Sequence, residues 1–289
     1  MSWHARLRLD YRLDPDAPAP RTIGRAAHEG PLRVLQSLYP EGPATCHHVI
    51  VHPPGGIVGG DTLEVDARLA AGTHALVTTP GATRFYRSGG ASARQQVLAR
   101  VDAAARLEWL PLETLVHDGA RAANTLRFEL APGASMIGWD LLALGLPAAG
   151  EAFARGRFEQ SIELAGANGG DWLERGVLDF DDPALAELTR RRLASPLGFA
   201  GHAVLATAWC AFGEPLPDAR RNELAEAARA AWPADAPTMG CTSPQPRVIV
   251  LRALAARVEP LHVALLQVWA AWRRALWAIE PCAPRVWRT

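Results

Sequence analysis

The decapeptide His52-Pro53-Pro54-Gly55-Gly56-Ile57-Val58-Gly59-Gly60-Asp61 stands between an apolar run, Val49-Ile50-Val51, and an alternating one, Thr62-Leu63-Glu64-Val65-Asp66. Its prolines are excluded from the interior of a central strand, and its glycines permit backbone angles that other residues resist. A glycine-rich segment entered from a strand invites comparison with a phosphate-binding loop, and the comparison fails. A Walker loop needs a lysine after its glycines, and all 30 basic residues here are arginine. The same lack removes a Schiff-base lysine and a pyridoxal phosphate anchor. The dinucleotide fingerprint fails too, because the glycines fall in adjacent pairs and the residues after them alternate like a strand. The segment therefore reads as a strand–turn–strand junction that ends in a single carboxylate, Asp61.

Working outward, the same pattern recurs. Short alternating or apolar runs at Trp3–Tyr11, Leu32–Leu38, Cys46–Val51, Thr62–Leu69, His74–Thr79, Gln95–Val101, Arg106–Leu110, Thr114–His117, Thr125–Leu130, Ser135–Trp139 and Arg157–Leu164 are separated by Gly/Pro turns. This spacing predicts a mainly β chain: a sandwich, a barrel or a layered, β-helix-like stack of many short strands. The last third is more helical. Asp182-Pro183 caps and opens a helix over Ala184–Leu193, which ends on Arg190-Arg191-Arg192 and so suits the helix dipole. Pro217-Asp218 opens a second helix to about Ala231. Glu259-Pro260 opens a third, on which Leu261, Leu265, Val268, Trp272, Leu276 and Ile279 form one apolar stripe. The stripe is read as packing on the chain's own β core. A partner surface is the alternative, since Trp and Arg favour interfaces, and Trp269, Trp277 and Trp287 add to that case. No linker divides the chain. Asp14–Pro20 and Trp232–Pro246 read as surface loops and Ala165–Asp171 as a turn. One domain over 1–289 is expected, β-rich over 1–165 and mixed with helices over 166–289.

Bulk properties exclude several classes. The 289 residues carry a formal net charge of +0, so a nucleic-acid partner has no electrostatic support. The four cysteines, Cys46, Cys210, Cys241 and Cys282, form no CxxC pair, which argues against a zinc ribbon or a thioredoxin-like site and for reduced thiols in the cytoplasm. The alternating N-terminus reads as a strand rather than a signal peptide, and no run approaches the ~20 apolar residues of a membrane span.

Candidate chemistry is sparse. Cys46, His47, His48 and His52 cluster in sequence, and an extended strand would put Cys46, His48 and His52 on one face. Cys and His suit borderline metals such as Ni²⁺, so these three form a candidate site for a transient metal. Ordinary strand residues are the alternative. Neither a GxSxG elbow nor an HExxH motif occurs. His117-Asp118-Gly119 makes a good hairpin turn. In Arg84-Phe85-Tyr86-Arg87 the two arginines fall on opposite strand faces, which weakens an anion site.

Three segments taken together, PPGGIVGGD (53–61), TTPGATRFYRS (78–88) and LEWLPLETLVHDGA (107–120), resemble the urease accessory protein family UreD, called UreH in some species. The likeness continues into Ile137-Gly138-Trp139-Asp140 and Phe158. The resemblance implies a non-enzymatic chaperone that helps load nickel into urease. It implies a layered β-helix-like fold and, as partners, the urease apoprotein, the helical protein UreF and the GTPase UreG. The chain lacks a P-loop lysine, so any GTP-driven step lies in the partner. The resemblance further implies a water-filled tunnel, with Asp61, Thr83, Asp140 and Glu174 as its polar lining. Read from the residues alone, Asp61 and Asp140 also serve as turn caps and Glu174 as the partner of Arg175 or another arginine. No tightly bound cofactor is expected, only nickel in transit. The alternative from another class is a metal-dependent hydrolase built on Cys46, His48 and His52.

Overall fold

A computed structural model of the chain describes residues 2–166 and 172–288. After β1 (His4–Leu13) and its hairpin partner β2 (Thr22–Glu29), the chain passes through β3 (Arg33–Val34) to β4 (Thr45–Val51) in a second sheet. It then alternates between the two sheets. β5 (Thr62–Leu69), β8 (Ala93–Val101), β11 (Arg121–Leu130) and β13 (Arg157–Gly166) add in parallel to β1. β6 (His74–Thr78), β9 (Arg106–Leu110) and β12 (Ser135–Leu144) add in parallel to β4. Each crossover thus returns to the sheet it left, one strand further on, which is the layered, β-helix-like winding. Between these strands, β7 (Thr83–Phe85) and β10 (Thr114–Val116) pair with each other, and β10 also pairs with β12.

Both ends are finished with antiparallel strands. β14 (Trp172–Asp179) closes the first sheet on β13. β15 (Val204–Phe212), β16 (Met239–Gln245) and β17 (Val248–Ala255) extend the second in the order β12-β15-β17-β16. The helices are α1 (Pro183–Ala194), beside β14, and α2 (Asp218–Ala231) and α3 (Val258–Trp277), which lie on the second sheet. Among the described residues, no helix is long and apolar enough to cross a membrane.

Every expected strand has a counterpart, but several elements went unread: β2, β7 and all four strands from β14 to β17. Leu32–Leu38 shrinks to β3 and a single bridge between Leu38 and His47. Trp232–Pro246, expected as a loop, contains the edge strand β16, whose register shifts between Thr242 and Gln245 and so tolerates Pro244. Of the expected turn at 165–171, Ala165 and Gly166 complete β13, and the rest lies outside the described residues. The stripe of α3 packs on the chain's own core, with Leu261, Leu265, Val268 and Trp272 buried. Ile279 is off the stripe, because the helix ends at Ala278 in a left-handed conformation (φ 53°).

The helical layer is also fixed by a buried polar network that joins three distant parts of the chain. Glu108 on β9 is fully buried and accepts hydrogen bonds from His74 Nε2 (2.7 Å) and Trp269 Nε1 (2.5 Å). Arg273 of α3, equally buried, places Nε 3.2 Å from Glu108, within ion-pair distance though not aligned for a hydrogen bond. Its Nη2 donates to Glu41 (2.6 Å) and its Nη1 to the Glu280 carbonyl (2.7 Å), and Glu41 also binds His47 (2.6 Å). Burial alone would raise the pKa of Glu108. The hydrogen bond and charge of His74, then Arg273 and Trp269, hold it below the ordinary carboxylate range. Removing the guanidinium would take the arginine charge away from fully buried Glu108 and from partly buried Glu41. Arg273→Met is expected to cost about 3–5 kcal/mol in denaturant unfolding, and a loss under about 1 kcal/mol would show that the network does not hold α3.

Candidate functional site

The winding stacks the three distinctive segments on one another. Ile57 bridges Phe85 in parallel, with Ile57 N donating to the Arg84 carbonyl (2.7 Å) and Tyr86 N to the Ile57 carbonyl (2.9 Å). The next layer pairs Thr83 with Thr114 and Phe85 with Val116. These layers rim a cavity of about 250 Å³ between the two sheets. Its rim comprises Gly55, Gly56 and Thr79–Arg84, and Asp140 and Trp109 reach it from the second sheet. Leu63, Val65, Val97 and Leu126 from the first sheet are mostly apolar wall, interrupted by Gln95 and Asn124.

That interruption belongs to a longer row. Register places Gln95 beside Asn124, and Asn124 beside Gln160, across β8, β11 and β13. On the facing sheet, register places Asp140 beside Thr207, and Thr207 beside Arg252, across β12, β15 and β17. The two rows touch where Gln160 Nε2 donates to Asp140 Oδ2 at 2.6 Å, and within the first row Gln95 Nε2 donates to Asn124 Oδ1 at 3.2 Å. At the sheet edge, Arg252 pairs with Glu174 and so joins β17 to β14. A polar seam therefore runs from the cavity to the edge of the sandwich. Trp109 Nε1, His52 Nε2 and Gln160 Oε1 are buried along it without a protein partner, which a polar or hydrated guest would satisfy.

Asp140 is the electrostatic centre of this seam. It is 4% exposed. Burial pushes its carboxyl up to about 6, against the pull of the Gln160 hydrogen bond and with a further push from Glu174.

The expected residues take different places. Thr83 and Asp140 line the cavity. Glu174 sits at the far end of the seam and pairs with Arg252, while Arg175 binds Glu159. Asp61 is buried but is not on the cavity wall: it accepts from Trp3 N (2.7 Å) and Val58 N (3.0 Å), the turn-capping alternative. It reaches the site only through its charge, which opposes the fall in His52 pKa caused by burial.

The metal set Cys46, His48 and His52 is not gathered, a correction to the shared strand face expected for it. β4 ends at Val51, and His52 enters the turn closed by Gly55 N and its own carbonyl (2.9 Å), so it leaves that face for the cavity wall. Cys46 and His48 both face Gly24, where a Cβ would stand 2.6 Å and 2.8 Å from them. His48 has both ring nitrogens engaged, by Tyr11 Oη and Ser37 Oγ (2.8 Å each), and burial, with a smaller push from His47, lowers its pKa to about 4. Among the described residues, no group of three or more His, Cys, Asp and Glu is placed to hold a metal ion. The hydrolase alternative thereby loses its ligand set.

Sequence reading missed Gln95, Asn124, Gln160, Thr207 and Arg252. The signal was present: β8, β11 and β13 each carry one polar residue at an inward position, between buried Ala93 and Val97, Ala122 and Leu126, and Phe158 and Ile162.

Residues 4–288 match the family described as UreD urease accessory protein. The proteins named urease accessory protein UreD from Methylibium petroleiphilum and Leptothrix cholodnii are 65% identical over 296 residues and 56% identical over 291 residues, each comparison covering 100% of both chains. The one from Paracidovorax citrulli is 52% identical over 289 residues, covering 99% of each. The chain, which carries the stacked motifs and the seam behind them, belongs to the UreD family of urease accessory proteins.

Proposed function

We propose that this chain is a urease maturation factor that scaffolds the urease apoprotein with UreF and the GTPase UreG and passes nickel, its cargo, along the internal polar seam. The observation that carries this reading is Asp140. A carboxylate this buried, held by one amide hydrogen bond, works against folding near neutral pH, and groups so perturbed cluster at functional sites. Thr83 at the rim, Asp140 and Gln160 inside and Glu174 at the far edge offer oxygen atoms at intervals. Such hard, singly placed ligands suit a partly hydrated divalent ion in passage, because no position supplies the soft, multidentate set that would trap it. The energy source lies in the partner, since the chain has no P-loop lysine.

Two measurements test this. Asp140→Ala or Glu174→Ala, co-expressed with urease and its accessory proteins, is expected to lower urease nickel content several-fold while co-purification of the complex is retained; unchanged nickel would sink the path. The second concerns pH. The folded pKa of Asp140 is raised from its ordinary 3.8 to about 6, so the folded state binds more protons in that window and stability falls as pH rises through it. Asp140→Asn should therefore stabilise the chain at pH 7.5 by up to about 3 kcal/mol, a gain that shrinks towards zero below pH 4. In the wild type, nickel transfer should fall as pH drops through about 6 and the carboxylate takes up its proton. A flat transfer profile between pH 5 and 8 would remove Asp140 from the path.

A further inference from the structure

The stacked rim carries a surface that the seam does not use. Tyr86 and Arg87, just after β7, lie close against glycines. A Cβ on Gly56 would collide with the Tyr86 ring, and one on Gly119 (φ +80°) would stand 3.0 Å from Arg87 Cγ. The Tyr86 ring also packs on His117, with ring centroids 4.8 Å apart. These glycines therefore do more than turn the chain: they seat an aromatic ring and a guanidinium stem in fixed positions, which leaves less side-chain entropy to lose on binding.

The seated groups face outward. Tyr86 is 37% exposed, and Arg84 and Arg87, which flank it in the chain, are exposed as well. Among the described residues, neither Arg84 nor Arg87 has an ion-pair or hydrogen-bond partner for its guanidinium. The nearby acid Asp118 is taken by Arg155, and Glu151 bears on His117. Arg84 lines the cavity, while Arg87 lies over Gly119 in the next layer. Two guanidiniums directed to different layers do not close on one small anion. They fit an extended segment with several carboxylates, and rigid Tyr and Arg side chains are the residues that most often dominate such interfaces.

We infer that the Arg84–Tyr86–Arg87 face is a docking site for an acidic protein segment, whose carboxylates pair with the two guanidiniums and whose chain covers the cavity rim. The choice of probes rests on the maturation reading: the urease apoprotein and UreF, each titrated against the immobilised full-length chain at 50 and 300 mM salt. For at least one of them, Arg84→Glu/Arg87→Glu is expected to weaken binding ten-fold or more, with the gap narrowing at the higher salt as the pairs are screened. Tyr86→Ala should weaken the same partner. Thermal unfolding checks that each variant is folded, and Arg84→Gln/Arg87→Gln replaces the reversal if it is not. Wild-type affinity in every folded variant, for every partner the wild type binds, overturns the inference and leaves the maturation reading intact. A wild type that binds neither probe overturns both.

Discussion

The ten-stranded sheet is covered on both faces, by the first sheet on one side and by α2 and α3 on the other, and this constraint governs the rest of the structure. Its strands β6, β12 and β15 are buried along nearly their whole length. Any polar side chain on them must find a partner inside the protein. The seven-stranded sheet is covered on one face only, and β1, β5 and β11 alternate accordingly between buried and accessible residues. Its outer face disperses charge into ladders such as Asp66–Arg100–Glu129 and Glu129–Arg127–Glu163, which solvent screens.

Two carboxylates on the doubly covered sheet show what burial does under different company. Glu108 points towards the helices and meets His74, Trp269 and Arg273, which together hold its charge in place. Asp140 points towards the first sheet and receives one amide hydrogen bond, so burial prevails and its carboxyl rises to about 6. The first arrangement is a structural fastening. The second leaves an acid whose charge is easily changed at the wall of a cavity, the kind of group that belongs to a site.

The glycine-rich segment serves both sides of this design. Asp61 closes its turn and ties Trp3 to it, so both oxygens of the carboxylate that ends the motif accept from backbone N–H groups. Gly56 clears room for Tyr86, and Ile57 locks the loop onto β7. Motifs about 25 to 30 residues apart in the chain become adjacent layers because each turn of the winding adds one layer, so they identify a family only as a set.

The sequence by itself determined the mainly β class and the places of the alternating strands, because a sheet with one wet face imprints a period of two on its residues, though β1, β8 and β11 run two to four residues further than their patterns. It determined α1 through its Asp182 cap and Pro183, and the inward stripe of α3 through its periodicity. The absence of lysine ruled out nucleotide chemistry of the P-loop kind. Only the tertiary structure decided that Val204–Phe212 and Val248–Ala255 are strands: mostly buried, they read as apolar runs broken only by Thr207 and Arg252, which periodicity does not separate from helix. It alone parted His52 from Cys46 and His48, since the strand stops one residue before the expected third ligand. It alone made the seam, because Gln160 and Asp140 meet across two sheets, and such a contact is fixed by how the sheets stack rather than by any spacing along the chain.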